Sequence, residues 1–287
     1  KQPWHSTLMP YADLTEALKA DRYASSFARS LNGKWKFHYA PRPEERPVDF
    51  YQPGYDVSKW DEITVPSCWQ ILGYGTPYYR NIGYTFKKDF PRVMSEPPKD
   101  YTAYTERNPV GSYVKTFEVP ADWKGRRVHI NFDGVDSAFY LWINGEKVGY
   151  SSNSRNVAEF DITPHIKPGP NTLAAEVYRY SSGSYLEDQD MWRLSGIFRN
   201  VTLWSAPELR VRDFTIVTDL DGNYQNATLK VSAKVLNSGK SKSAATDLNV
   251  LLYDPAGKAV SGAKGSASVS ELDPGAETTV SVSIPVS

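Results

Sequence analysis

Cysteine occurs once in this chain of 287 residues, at Cys68. That excludes an intrachain disulfide framework without deciding between a cytoplasmic and a periplasmic setting. Histidine is almost as scarce: His5, His38, His129 and His165 are scattered with no HExxH or paired-cysteine spacing, so a zinc site has little support and each is read as structural. Charge of one sign is not in excess, because 33 Lys and Arg balance 33 Asp and Glu. Nothing in that balance draws the protein to nucleic acid or to an anionic membrane surface. No apolar run approaches the ~20 residues of a membrane span, and the opening KQPWHSTLMPY lacks the apolar core of a signal peptide. Since the chain begins with Lys rather than Met, it is expected to be an excised or processed piece. GxSxG, GxxxxGK[ST] and GxGxxG after a strand are all missing, which removes the usual hydrolase, nucleotide and dinucleotide signals. GYGTPYY at 73–79 lacks the strand-to-helix setting that cradles phosphate and reads as a surface loop. No internal repeat is present.

Aromatic residues are abundant, with 8 Trp, 19 Tyr and 11 Phe beside 20 Pro and 19 Gly. Such rings favour strands and sugar sites, and Pro and Gly punctuate many short elements. One short helix is predicted near the start, where Asp13 or Thr15 can cap a run from Glu16 to Ala20. From LNGKWKFHYA (31–40) onward the pattern has period two, with Leu31, Trp35 and Phe37 as buried candidates. RVHINFDG (127–134) places Val128, Ile130 and Phe132 on one face, and AFYLWINGEKVGYS reads as a hairpin turning at Asn144-Gly145. AEFDIT, NTLAAEVYRY and FRNVTLWSAP continue a series suited to a β-sandwich. After Pro207 the chain is poor in Trp and rich in Val, Thr, Ser and Ala, with turns at Asp254-Pro255-Ala256-Gly257 and Asp273-Pro274-Gly275. We therefore expect an all-β protein: a jelly-roll sandwich with an N-terminal arm over 1–206, then a smaller immunoglobulin-like sandwich over 207–287. The second falls short of the ~100 residues and about seven strands of a complete immunoglobulin-like domain, so it is expected to be truncated, with an open edge that could pair with a second copy into a homo-oligomer.

The stretch YSSGSYLEDQDMWRLSGIFRN (180–200) interleaves Glu187, Asp188 and Asp190 with Tyr185, Trp192 and Arg193. Carboxylates accept hydrogen bonds from hydroxyls and hold hard cations, while rings cover the C–H faces of a pyranose. The bland alternative is a solvated loop in which Asp188 or Asp190 caps a turn and Arg193 is an ion-pair partner. Glu187 with Asp190 is not favoured as a hydrolytic pair. Such carboxyls must flank one glycosidic bond about 5 Å apart for retention or about 6.5–9.5 Å for inversion, and a single loop seldom holds them so. Asn108-Pro109 reads as a turn, though a carboxamide at a loop end can also serve a sugar hydroxyl.

The segments HSTLMPY, LNGKWKF, VPSCWQILGYGTPYYRNIGYTF, NPVGSY, FDGVDSAFYLWINGEKVGYSSNSRNVAEFDIT, NTLAAEVYRY and SYLEDQDMWRLSGIFRNV together resemble the N-terminal jelly-roll domain of β-galactosidases of glycoside hydrolase family 2. Residues 207–287 resemble the immunoglobulin-like domain that follows it. The resemblance implies a galactoside substrate, and a catalytic pair of glutamates on a TIM barrel of about 250 residues for which this chain has no room. It implies substrate-binding roles for Asp190, in DQDMW, and for Asn108, in the NP-x-G turn, and a sodium ion on Asp190 in the complete enzyme. Sodium and magnesium are expected there, with none retained by this chain alone. An independent carbohydrate-binding module, a structural pair of sandwiches, or another family 2 enzyme such as a β-glucuronidase are the alternatives. LEDQDMWRLSGIFR is of the galactosidase type, whereas YRYSSGSY departs from it, since an acidic residue often precedes that glycine in the family.

The highly purified chain is accordingly expected not to hydrolyse a chromogenic β-galactoside, for want of an acid and a nucleophile. Turnover that disappears on substituting Asp190 or Glu187 would contradict this.

Overall fold

The computed structural model describes residues 1–81, 83–95, 106–187 and 189–287. It divides into two compact units, one of residues 1–3, 29–124 and 128–204, the other of residues 4–28, 125–127 and 205–287.

Strands of the first region are β1 (Ala28–Ser30), β2 (Gly33–Ala40), β3 (Asp61–Val65), β4 (Tyr78–Arg80), β5 (Val110–Glu118), β6 (Arg127–Phe132) and β7 (Val135–Asp136). They continue with β8 (Ala138–Ile143), β9 (Glu146–Ser151), β10 (Ala158–Asp161), β11 (Pro170–Tyr178), β12 (Met191–Arg193), β13 (Gly196–Ile197) and β14 (Val201–Ala206). One sheet runs β3-β2-β5-β11-β8-β9 and the other β1-β14-β6-β10, with short ribbons β12-β4 and β13-β7. The expected alternation is visible in the core. Trp35 and Phe37 of β2 are 1% exposed, and Val128, Ile130 and Phe132 of β6 are equally buried. Phe139 of β8 bridges the layers, its ring 4.8 Å from that of Phe132 and 6.0 Å from that of Phe160. His129, on the other face of β6, is buried too because the Trp204 ring stacks on it at 4.5 Å. Asn144 and Gly145 take φ of 53° and 88°, the left-handed pair a type I′ hairpin turn needs, and they join β8 to β9.

The second unit carries β15 (Leu209–Leu220), β16 (Ala227–Asn237), β17 (Thr246–Tyr253), β18 (Ala259–Val269) and β19 (Glu277–Val286). These form sheets β15-β16-β19 and β17-β18, over a core that includes Val235, Val269 and Leu272 and Ala263, Val282 and Ile284. Both Asp-Pro turns form, with Gly257 N donating to Asp254 O and Ala276 N to Asp273 O. The arm that the sequence reading attaches to the jelly roll groups with this unit over residues 4–28. Ser6 donates from N to Asp213 Oδ1 (2.9 Å) and from Oγ to Phe214 O (2.8 Å). Its helix α1 (Leu14–Ala17) is capped by Asp13 and stops earlier than predicted. Lys19 N and Ala20 N bond back only three residues, to Glu16 and Ala17, and Ala20 turns left-handed at φ 51°.

Gly111 of β5 marks the tightest point of the first core. A Cβ there would lie 2.7 Å from the Trp69 ring and 2.9 Å from Phe37, and both rings are buried. Gly111→Ala should therefore destabilise the chain by about 1–3 kcal/mol through overpacking. Gly222→Ala, facing open space, should stay within about 0.5 kcal/mol. Urea unfolding of the two variants checks the contrast.

Candidate functional site

Strands β5 and β11 run antiparallel with Val110 opposite Tyr178, so the residues entering β5 and those leaving β11 share one end of the sheet. Asn108 stands there, 7% exposed, with a left-handed φ of 53° that Asn tolerates better than most residues. Its Oδ1 accepts from Tyr180 N at 2.7 Å and its Nδ2 donates to Tyr180 O at 3.1 Å. The carboxamide thus continues the ladder where Pro109 has no N–H to offer. One lone pair and one N–H remain for any other partner.

Next to Tyr180 is a residue that the sequence reading passed over. The Arg179 side chain is 1% exposed and pairs with Glu106 Oε2 at 3.1 Å. Its Nη2 donates to Thr76 O (2.9 Å) and Arg193 O (3.0 Å), and its guanidinium lies 4.5 Å from the Tyr78 ring centroid. One buried cation therefore ties together the segments at 76–78, 106 and 193. Burial pushes the Glu106 carboxyl up, and Arg179 works against that push.

Asp190 lies just before β12. That strand pairs with β4, Trp192 opposite Tyr79, so GYGTPYY is not wholly the surface loop it resembles: Tyr78 to Arg80 are strand. Tyr79 donates from its hydroxyl to Asp190 Oδ1 at 2.6 Å, a bond that raises the phenol's pKa. Tyr79 and Trp192 are 56% and 59% exposed, with ring centroids 5.8 Å apart. The result is an open surface of two rings beside a carboxylate.

The other candidates are committed elsewhere. Glu187 accepts from Ser154 N (2.8 Å) and Ser154 Oγ (2.6 Å). Tyr185 packs edge-on against Tyr84, Phe86 and Phe90, and Arg193 donates to Arg80 O. Asp188 lies outside the described residues. Asn108 and Asp190 make no bond to one another; Arg179, beside Asn108 in one depression, bonds to Arg193 O on the strand that follows Asp190. Asn108 lines a depression with Glu106, Tyr78 and Arg179. A neighbouring depression shares the wall of Thr85, Phe86, Arg179 and Tyr180 and adds Asp136, Glu187 and Trp192. Asp190 stands outside both, on the exposed ribbon. Among the described residues no group of three or more His, Cys, Asp or Glu side chains converges as a metal cage.

A family model described as glycosyl hydrolases family 2, sugar binding domain, matches residues 28–207. The chain belongs to that family. A CARDB model matches residues 206–287, in agreement with an immunoglobulin-like second domain. The family 2 chain is 48% identical over 250 residues to a β-galactosidase of Priestia megaterium, covering 87% of this chain and 24% of that protein. It is 45% identical over 236 residues to a β-galactosidase of Halalkalibacterium halodurans, covering 82% and 22%. It thus spans about a quarter of the length of those curated relatives. Among solved structures it is similar to a β-glucuronidase of Bacteroides uniformis, with a TM-score of 0.68 over 90% of this chain and 28% of that one. At 23% identity that likeness shows the fold alone.

One acid of the rim has a pH signature. Asp136 accepts from Arg155 Nη1 at 2.9 Å, yet burial outweighs that partner and pushes its carboxyl up to about 6. A carboxyl raised in the folded state favours folding while it is protonated, so its contribution is full below pH about 4 and is lost as pH rises through about 6. Between pH 4 and 7.5, Asp136→Asn should remove about 2 kcal/mol of alkaline-side stability loss relative to the parent. Paired urea titrations at the two pH values measure it.

Proposed function

We propose that this chain is the non-catalytic N-terminal portion of a retaining β-galactosidase that hydrolyses terminal β-D-galactosides, and that Asp190 and Asn108 bind the sugar. The reading is supported by relatives named β-galactosidase at 48% and 45% identity. The observation that carries the site is the exposed trio Tyr79, Asp190 and Trp192. Rings of this kind cover C–H faces while the carboxylate accepts hydroxyl protons. Asp190 Oδ1 is taken by Tyr79, and Oδ2 is left for a sugar hydroxyl or as a single ligand to a monovalent cation. A hard cation takes several oxygens, so a sodium ion at Asp190 would draw its other ligands from elsewhere in the complete enzyme. Catalysis would lie outside this chain, on a barrel domain that supplies the acid and the nucleophile. Asn108 would act from behind, presenting its remaining N–H while its clamp on Tyr180 keeps the rim in place.

A uronic acid is a poorer fit than galactose. Its carboxylate would meet the Asp190 carboxylate, and like charges at one site repel.

In the full-length enzyme, Asp190→Asn should lower kcat/KM for a nitrophenyl β-galactoside by at least about a hundredfold, near 2.7 kcal/mol of lost transition-state stabilisation. The urea midpoint should not move. Parent kinetics in that variant would refute the assignment.

A further inference from the structure

Two neighbouring side-chain rows lie on the outer face of the six-stranded sheet, turned away from the core. Strand register aligns Lys36, Val114, Ala174, Trp142 and Lys147 in one row. The next contains His38, Ser112, Glu176, Tyr140 and Tyr150. The first row is roofed, because Phe50, Tyr51 and Trp60 pack on Val114 and Trp142, with Tyr51 stacked on Trp142 at 4.7 Å and 7°. The second is not roofed at Tyr140, beside the buried Glu176. There the sheet holds a cavity of about 320 Å³ lined by Arg46, Tyr51, Tyr140, Lys147, Glu176 and Tyr178, among others. The two depressions beside Arg179 hold about 40 and 10 Å³, room for a few waters at most. The outer-face cavity falls in the range of about 300–1,000 Å³ typical of small-ligand sites.

Its chemistry is specific. Tyr140 and Tyr178 meet edge to face, centroids 6.2 Å apart, and form an aromatic floor. Glu176 is 5% exposed and is held at both oxygens, by Arg46 Nε at 3.2 Å and by the Tyr178 hydroxyl at 2.7 Å. A carboxylate has about four acceptor positions, so Glu176 keeps two to offer from a fixed geometry. Arg46 Nη1 is spent on Pro43 O, leaving Nη2. At the edge, Lys147 Nζ lies 4.4 Å from the Tyr140 ring centroid. Rings for C–H faces, a clamped acceptor, and two cationic donors are what a polyhydroxylated ring needs. A purely apolar partner would leave the two remaining acceptor positions of Glu176 unmatched.

We propose that this outer face is a second carbohydrate subsite, separate from Asn108 and Asp190. It takes one pyranosyl unit of an oligosaccharide, with the ring on Tyr140 and Tyr178 and the hydroxyls on Glu176, Arg46 and Lys147.

The test is a titration of the ¹⁵N-labelled 287-residue chain with lactose, followed at the Trp142 indole N–H, whose ring lies 5.9 Å from that of Tyr140. Trp142→Phe assigns that signal. A saturable shift with Kd of about 1–10 mM is expected, retained in Asp190→Asn and weakened at least about fivefold in Tyr140→Leu and in Lys147→Met. Lys147 is exposed, so its variant reports on binding even where Tyr140→Leu fails to fold. Four results overturn the proposal: no saturable shift, an unchanged Kd in Lys147→Met, loss of the shift in Asp190→Asn, or the same shift produced by raising protein concentration without lactose. The third would make the signal a remote echo of the Asp190 site, and the fourth would make the face a contact between copies.

Discussion

The rim of the jelly roll depends on one buried cation. Arg179 stands at the end of β11 with its guanidinium out of water, and its partners come from three separate segments. A charge in that position is costly unless it is paired and hydrogen-bonded. Glu106 neutralises it, while the carbonyls of Thr76 and Arg193 take two of its N–H groups. The requirement works in both directions: the loops are positioned because the cation must be satisfied, and the cation is tolerated because the loops converge. Removing any one partner would leave a buried charge or a buried donor unmatched.

The ribbon of β4 and β12 inherits its placement from that arrangement. Arg179 bonds to Arg193, the last residue of β12, and its guanidinium lies over Tyr78, the first of β4. Tyr79 and Trp192, whose rings point outward, therefore sit on backbone anchored from beneath. Two of the neighbouring acids serve the fold. Glu187 is absorbed by Ser154 and Glu106 by Arg179, both in structural roles. Asp190, by contrast, accepts from the exposed phenol of Tyr79 through one of its two oxygens. A carboxylate on an element fixed by buried contacts is better placed to orient a ligand than one on a free loop.

The same economy is seen on the outer face of the large sheet. There the segment through Phe50, Tyr51 and Trp60 covers one row of side chains and stops short of the next. Where it covers, the face is aliphatic and aromatic; where it stops, Glu176, Arg46 and Tyr178 form a bonded polar set. Burial on one side and hydrogen bonding on the other are two ways of satisfying a sheet face, and they meet at Tyr140 and Trp142.

Much of this was legible in the residues themselves. Alternation in β2 and β6 revealed strands and their inward faces, Asn144-Gly145 announced its hairpin, and Asp13 its helix. Each of these rests on interactions spanning a few positions, where side-chain period and φ preference decide the outcome. Tertiary structure alone decided the rest. GYGTPYY conceals a strand because the partner of Tyr79 is Trp192, far along the chain, and no local pattern encodes that pairing. Arg179 looks like an ordinary strand arginine until Thr76, Glu106 and Arg193 close around it. Asn108 reads as a turn, and only the register of β5 against β11 turns its carboxamide into a clamp on Tyr180. Local sequence determines which element forms, because its energy is spent between neighbours. Which side chains meet across the sheet, and which are left facing water, depends on long-range register that no short segment contains.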